Sequence, residues 1–173
     1  MLSRTRLATL LLALAFSQSA RADIIEQYRR FLSRPDPILG DTFGRSVAVD
    51  GDTLVVGAPG AAPHGSVYVF YRNQNGTDAW GYVTTIPMPD NINGSFGSAV
   101  GISGDTVVAS APTVNNGTAY VSGAIYVFGR NIGGPDHWGL IQRRSANTPQ
   151  TDDRFGQALA INGDHLPRDR PST

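Results

Sequence analysis

The chain contains no cysteine and no lysine, and beyond Phe16 it has no long run of apolar side chains. Without cysteine, disulfides, thiolate metal sites, cysteine nucleophiles and thiol-linked lipids are excluded. The formal net charge is +0, so composition indicates neither nucleic acid nor an anionic membrane as a partner. What the 173 residues do have is 40% hydrophobic side chains, twenty Gly and eleven Pro, which indicates one turn-rich globular domain.

Residues 1–22 have the pattern of a cleavable signal peptide. Arg4 and Arg6 precede an apolar stretch, "LATLLLALAF", and "ARA" then places small residues at a cleavage site after Ala22. The alternative is a membrane anchor, but about 20 apolar residues are needed to cross a bilayer. The sequence therefore predicts an exported protein, secreted, periplasmic or at the cell surface, with no membrane span after cleavage.

The sequence repeats itself after the leader. "FGRSVAVDGDTLVVGAP" and "FGSAVGISGDTVVASAP" agree position by position, "GSVYVF" matches "GAIYVF", and "FGQALAINGDHL" starts a third copy. Residues Phe43 to Pro59 recur 53 positions later, at Phe96 to Pro112. From Gly65 onward the offset is 58, as Gly65 and Gly123 show. Repeats of this length are typical of propeller blades and solenoids. The repeat-signature residues are Phe43, Gly44, Ala58, Pro59, Phe96, Gly97, Ala111, Pro112, Phe155 and Gly156.

Each complete unit is predicted to form four short antiparallel strands. In the first unit these are "SVAV", "TLVVGA", "SVYVFYR" and "WGYVTTI", rich in β-branched and aromatic residues. The second unit offers "SAVGI", "TVVASA", "AIYVFGR" and "WGLIQR" in the same order. Gly51 supplies the tight turn between the first two strands. The predicted fold is all-β, an incomplete propeller of two four-stranded blades and the start of a third.

The order Phe-Gly, hairpin, Gly-Ala-Pro and Gly-x-x-Tyr-Val-Phe resembles the FG-GAP repeat of integrin α-chain propellers and of bacterial exported proteins. The resemblance covers Asp41 to Asp164, with one departure, Ser110 in place of Gly57. Such a resemblance implies an interaction module rather than an enzyme. It also implies calcium, which integrin-like repeats carry between the first two strands. The short Asp50-Gly51-Asp52 hairpin does not support that ion, because two carboxylates on a two-residue turn cannot surround it. We therefore expect no metal and no cofactor.

Catalytic and sugar-binding sites receive little support from the remaining polar and aromatic residues. His64, His137 and His165 are interpreted as loop histidines, because none is paired with a nucleophile motif or a metal-ligand spacing. Trp80 and Trp138 could form a carbohydrate platform, but their equivalent places in the two units favour core packing. We therefore expect no catalytic residue.

Three Asn-Gly-Thr/Ser sequons, at Asn75, Asn93 and Asn116, are glycosylation sites if the host glycosylates asparagine. The alternative that we prefer is that Asn-Gly serves as a turn dipeptide.

The third unit departs from the pattern after His165, because "PRDRPST" cannot continue a buried strand. We interpret it as a truncated blade, with a disordered tail as the alternative. Ile24–Leu32 is predicted to replace the fourth strand of a preceding blade, and a helix over Ile25–Phe31 is the alternative. The predicted segments are the signal peptide 1–22, an N-terminal segment 23–41, blades 42–92 and 93–150, a third start 151–166 and a tail 167–173.

The expected function is that of an exported, non-enzymatic interaction module, a truncated fragment of a longer repeat protein. Its expected partner is an extracellular protein or glycan, and missing blades are needed to close the ring. A carbohydrate-binding or polysaccharide-processing propeller, or a fragment without independent function, are the alternatives. Phe96 is expected to be buried between the blades, and Phe155 to cap the far face of the second blade. Phe70, near a strand end, is expected to tolerate replacement by tyrosine.

Overall fold

The computed structural model describes residues 34–163, which lie in one compact unit. The predicted leader, the predicted strand or helix at Ile24–Leu32, His165 and the tail 167–173 lie outside the described residues. Among residues 34–163 there is no helix that is long and apolar enough to span a bilayer.

Eight strands form two four-stranded antiparallel sheets, and each sheet follows chain order. Blade 1 consists of β1 (Ser46–Asp50), β2 (Thr53–Ala58), β3 (Ser66–Tyr71) and β4 (Gly81–Pro87). Blade 2 consists of β5 (Val100–Ser103), β6 (Thr106–Ala111), β7 (Ala124–Arg130) and β8 (Trp138–Arg144). The prediction of two four-stranded blades in an unclosed all-β propeller is confirmed. Two strand starts differ from the predicted ones, since β4 begins after Trp80 and β5 begins at Val100.

The hairpins form where the sequence predicts them. Asp50 pairs with Thr53, which leaves a two-residue turn, and Gly51 there has a φ of 53°. Gly104, its equivalent in blade 2, has a φ of 55°. Only glycine adopts such angles without steric cost, so the repeated Gly-Asp sets the first hairpin of each blade.

Alternation along the strands gives each blade two faces. We call the face that carries Val47 and Val49 in blade 1, or Val100 and Ile102 in blade 2, the leading face, and the opposite face the trailing face. In blade 1 the register aligns Val47 with Val56 and Val49 with Leu54 on the leading face. The trailing face of blade 1 carries Ala48, Val55, Val67, Val69 and Tyr71. The leading face of blade 2 carries Val100, Ile102, Val107, Ala109, Tyr126 and Phe128.

The larger of the two hydrophobic clusters lies between the blades. It joins the trailing face of blade 1 to the leading face of blade 2, and Phe96 is fully buried in it. The Phe96 ring meets Tyr126 edge-on with centroids 5.6 Å apart, an arrangement that aromatic quadrupoles favour. The predicted place of Phe96 between the blades is confirmed.

The Phe-Gly motif also ties each unit to the one before it through the backbone. Phe96 N–H donates to His64 O at 3.1 Å, and Gly97 N–H then donates to Ser110 O of its own blade at 2.9 Å. Phe155 N–H repeats the first contact with Ser122 O at 2.9 Å. The motif is therefore the point where the chain leaves one sheet and enters the next.

Gly57, in the Gly-Ala-Pro motif, permits the closest backbone approach between the blades. A Cβ placed there would lie 2.0 Å from Gly97 O and 2.3 Å from Ser46 Oγ. Ser46 Oγ donates to Gly97 O at 2.8 Å and so fills the space beside the glycine. In blade 2 the hydroxyl is on the opposite strand, because Ser110 Oγ accepts from Ala99 N–H at 2.9 Å. Ser110 thus replaces Gly57 and Ala99 replaces Ser46, so the second change compensates for the first.

The third Phe-Gly start lies along the trailing face of blade 2 without forming a strand within the described residues. A Cβ on Gly101 would lie 2.9 Å from Ile161 and 3.0 Å from Leu159, and one on Gly156 would lie 2.7 Å from Ile125. Phe155 is half-buried. Residues 155–161 therefore cap this face, in the place predicted for Phe155.

Phe70 lies near the end of β3, as predicted, but it is deeply buried, and its tolerance of tyrosine stays a prediction. Its side chain is 2% exposed and belongs to the cluster on the leading face of blade 1. The ring lies 6.2 Å from Phe43 and 6.1 Å from Tyr82, centroid to centroid, so it is enclosed by aromatic neighbours. Proximity to a strand end does not expose it, because β4 and the Phe-Gly segment flank that end.

Candidate interaction surface

The leading face of blade 1 is open along β1. Val47 is 53% exposed and Val49 is 60% exposed, whereas their equivalents in blade 2, Val100 and Ile102, are 8% and 7% exposed. The difference has one cause, because blade 1 covers the leading face of blade 2. We call Val47 and Val49 the open strip. Their equivalents in blade 2 pack against blade 1, so the open strip is an apolar surface suited to packing against another protein surface.

The part of this leading face over β3 is covered from the N-terminal side. Arg34 stacks over the Tyr68 ring at 5.1 Å and pairs with Asp41, while the Phe43 ring meets Tyr68 edge-on at 5.4 Å. The N–H of Phe43, at 3.0 Å, lowers the pKa of the Asp41 carboxyl, and burial raises the pKa of the Tyr68 phenol. These groups cover β3 and leave β1 accessible.

An arginine cluster in blade 2 holds blade 1 at the hairpin end of the sheets. Arg130 donates through Nη2 to Thr53 Oγ1 at 2.5 Å, and its guanidinium lies over the Tyr71 ring at 4.9 Å. Thr53 and Tyr71 are cross-strand partners on the trailing face of blade 1. Tyr71 also donates its hydroxyl proton to Asp136 at 3.1 Å, and burial raises the pKa of its phenol. A cation, a hydroxyl and a ring thus form one polar contact across the blades.

Arg130 is itself oriented from within blade 2. Its Nε lies 2.9 Å from Asp105 Oδ1, an ion pair in which the N–H does not point at the oxygen. Its guanidinium also lies 5.0 Å from the Trp138 ring, which is buried. We call Arg130, Asp105, Asp136 and Trp138 the blade 2 arginine cluster.

Blade 1 carries the same cluster on its open side. Arg72 Nε lies 3.7 Å from Asp52 Oδ1, and the guanidinium lies 5.4 Å from the Trp80 ring. Asp78 stands in the position of Asp136, and the Arg72 side chain is 45% exposed. We call Arg72, Asp52, Asp78 and Trp80 the blade 1 arginine cluster. It has the cation, the carboxylates and the ring of its counterpart, on a face that neither of the two described sheets covers.

The hairpin tips are joined in a repeated way. Gly104 N–H donates to Asp50 Oδ2 at 2.6 Å, and Gly163 N–H donates to Ser103 Oγ at 3.1 Å. Each donor is the hairpin glycine of one unit, and each acceptor is the side chain before the glycine of the preceding unit. The equivalent donor of blade 1 is Gly51 N–H, at an exposed position beside the open strip.

A polar network fixes the connection that precedes blade 2. Tyr126 donates its hydroxyl proton to Asp90 Oδ2 at 2.6 Å, and Arg143 Nε donates to the same oxygen at 2.9 Å. Burial, and then the hydrogen bond to Asp90, raise the pKa of the Tyr126 phenol. Arg143 also donates to Asn116 Oδ1.

The three sequons differ in the structure. Asn116 Nδ2 donates to Ser122 Oγ at 2.7 Å and to Gly123 O at 2.8 Å, so a glycan on this nitrogen would disrupt both contacts. Asn75 and Asn93 are exposed. Asn116 therefore has a structural role, and glycosylation of the other two stays a prediction.

The two described histidines are separate from each other. His64 Nδ1 lies 3.3 Å from Asn93 Oδ1 in a cleft of about 380 Å³ that Ser95 and Thr113 also line. His137 Nδ1 lies 2.7 Å from Ile132 O, within its own turn. Across residues 34–163, no group of three or more His, Cys, Asp or Glu side chains could hold a metal ion.

Each tryptophan contacts an arginine, and Trp138 is buried in the core between the blades, in agreement with the expected core packing. Trp80 is half-buried against the leading face of blade 1. The two rings therefore do not form one exposed platform for a sugar.

Sequence reasoning missed the arginine clusters, although a signal was present. Arg72 and Trp80 are eight positions apart, as are Arg130 and Trp138, and an aspartate comes two residues before each tryptophan. Gly-Asp at each first hairpin completes the set. Aligning charged as well as apolar positions of the repeats would have indicated the contact.

Comparison with known families agrees with this architecture. The model of the FG-GAP repeat matches residues 32–70 and 91–128. Each match begins before a Phe-Gly motif and ends in the third strand of the blade. No curated protein matches the chain.

Proposed function

Because this chain is an FG-GAP repeat protein, we propose that it is an exported, non-enzymatic module that binds another extracellular protein through the open strip of blade 1. The observation that carries the proposal is the contrast between Val47 and Val49 and their covered equivalents in blade 2. Fully burying a valine contributes about 1.5–3 kcal/mol, so covering the strip favours association. FG-GAP repeats occur in extracellular or exported proteins and are typically non-catalytic, which supports the class.

The module works without a metal or cofactor in this proposal. The described hairpins present only Asp50 with Asp52, and Ser103 with Asp105. These side chains are also engaged elsewhere, since Asp50 accepts from Gly104 and Asp105 pairs with Arg130. A calcium ion at either hairpin would compete with contacts that join or orient the blades.

The export part of the proposal predicts cleavage after Ala22. Expressed in a bacterium with a C-terminal tag, the full chain is expected outside the cytoplasm with Asp23 as its first residue, by N-terminal sequencing. Leu11→Arg places a charge in the apolar stretch and is expected to leave the uncleaved chain in the cytoplasm. An exported chain that retains residues 1–22 would contradict the cleavage.

The binding part is tested by placing a photo-reactive amino acid at Val47 in the full chain, produced in its own cells. We expect irradiation to yield an adduct of this chain with another protein. The same residue at Tyr120, which is 64% exposed in a loop of blade 2, is the matched control and is expected to give no such adduct. Equal adducts at both positions, or none at Val47, would contradict a binding role for the open strip.

A further inference from the structure

The blade 1 arginine cluster allows the partner of the open strip to be described more closely, on the assumption that the proposed function holds. In blade 2, the equivalent cluster contacts polar and aromatic groups of blade 1. Arg130 contacts a threonine hydroxyl and a tyrosine ring, and Asp136 accepts from the tyrosine hydroxyl. Arg72 and Asp78 occupy the same positions in a blade whose leading face is open.

The groups that blade 2 uses to contact blade 1 bind side chains on two neighbouring strands of one sheet. Thr53 and Tyr71 are directly opposite each other on neighbouring strands, so their side chains emerge side by side from one face. Asp50, at the adjoining hairpin, accepts the N–H of Gly104. A surface that satisfies Arg72, Asp78 and Gly51 in the same way therefore needs a hydroxyl and a tyrosine as cross-strand neighbours, with a carboxylate or hydroxyl at the hairpin beside them.

A second copy of this chain does not meet these requirements. The trailing face of its blade 1, with Thr53 and Tyr71, is already covered by blade 2. On the trailing face of blade 2, Thr106 is opposite Gly129, which has no ring for Arg72. Leu159 and Ile161 also lie against that face, at Gly101.

We infer that the open strip and the blade 1 arginine cluster bind the trailing face of an FG-GAP-type blade on a different protein chain. That blade has a Thr or Ser opposite a Tyr at the hairpin end of its second and third strands, as blade 1 itself has. Arg72 provides the specificity, because a buried arginine without its hydroxyl and ring partners is costly. Val47 and Val49 provide the apolar contact.

The test uses the photo-reactive amino acid at Val49, next to the cluster, in the full chain in its own cells. Mass spectrometry of the adduct is expected to identify a strand of another chain whose sequence contains the Thr or Ser and Tyr pair. Arg72→Gln is expected to lower the adduct yield at least tenfold, while Arg45→Gln, an exposed arginine on the same blade, leaves it unchanged. Urea unfolding of both variants checks that the fold is retained.

Other outcomes overturn the inference without touching the proposed function. An adduct with a protein that has no such blade, or one whose yield is independent of Arg72, would leave a protein-binding strip but remove this partner. An adduct with a second copy, seen as a dimer by size-exclusion chromatography, would do the same. An adduct within the same chain, or no adduct at all, would overturn both proposals.

Discussion

Replacing Phe96 with alanine is expected to lower the free energy of unfolding of the protein by about 3–5 kcal/mol, the usual cost of truncating a buried phenylalanine. Phe96 is fully buried and belongs to the cluster that both blades share, so the cavity would open at the junction itself. A loss of this size is a large share of the stability of a small domain. Urea unfolding of the purified protein measures it.

Phe43→Ala is the matched control, because Phe43 occupies the same position in the repeat. Its ring is half-exposed and packs on the leading face of blade 1, not between the blades, so a clearly smaller loss is expected. If both variants lost the same small amount, the Phe-Gly motif would have no special role at the junction between the blades.

Replacing Gly57 with alanine is expected to cost about 1–3 kcal/mol, the usual range for overpacking a close contact. The new methyl would lie 2.0 Å from the backbone oxygen of Gly97, and a backbone atom cannot move aside without shifting blade 2. Thermal or urea unfolding of the purified protein measures the change.

Gly129→Ala is the control for the Gly57 substitution. It is also a strand glycine without a positive φ, and its new methyl would meet the side-chain ends of Ile141 and Ile132, which can change rotamer. Removing a glycine also lowers the entropy of the unfolded chain, so little change or a small gain is expected. A loss at Gly129 as large as that at Gly57 would mean that backbone contact between blades is not the cause.

The repeated pattern was sufficient to predict both sheets. Gly51 and Gly104 set the hairpins, Pro59 follows β2, and the alternating valines and aromatics mark strands whose two faces are covered. The place of Phe96 followed from the same reasoning. An apolar residue before a repeated glycine at the junction of two sheets is expected in the apolar space between them. Local and repeated signals of this kind are readable without coordinates.

What the sequence did not reveal depends on packing between units. Val47 and Val100 look identical in the alignment, and only the presence of a covering blade makes one exposed and the other buried. The contact of Arg130 with Thr53 and Tyr71 joins residues of different blades, which no local pattern marks. The burial of Phe70 has the same origin, since Phe43 and Tyr82 enclose it from other segments.

The segment 155–161 on the trailing face of blade 2 has a consequence for polymerisation. A molecule with a free leading face at one end and a free, complementary trailing face at the other would bind further copies head to tail. When such copies do not close into a ring, they grow into a fibre. Here the trailing face is occupied by the chain's own residues and has Gly129 where a tyrosine would be required. If the open strip binds as proposed, the described part of the protein therefore binds at that face and not at the trailing face of blade 2, and a chain of additions would terminate at this molecule.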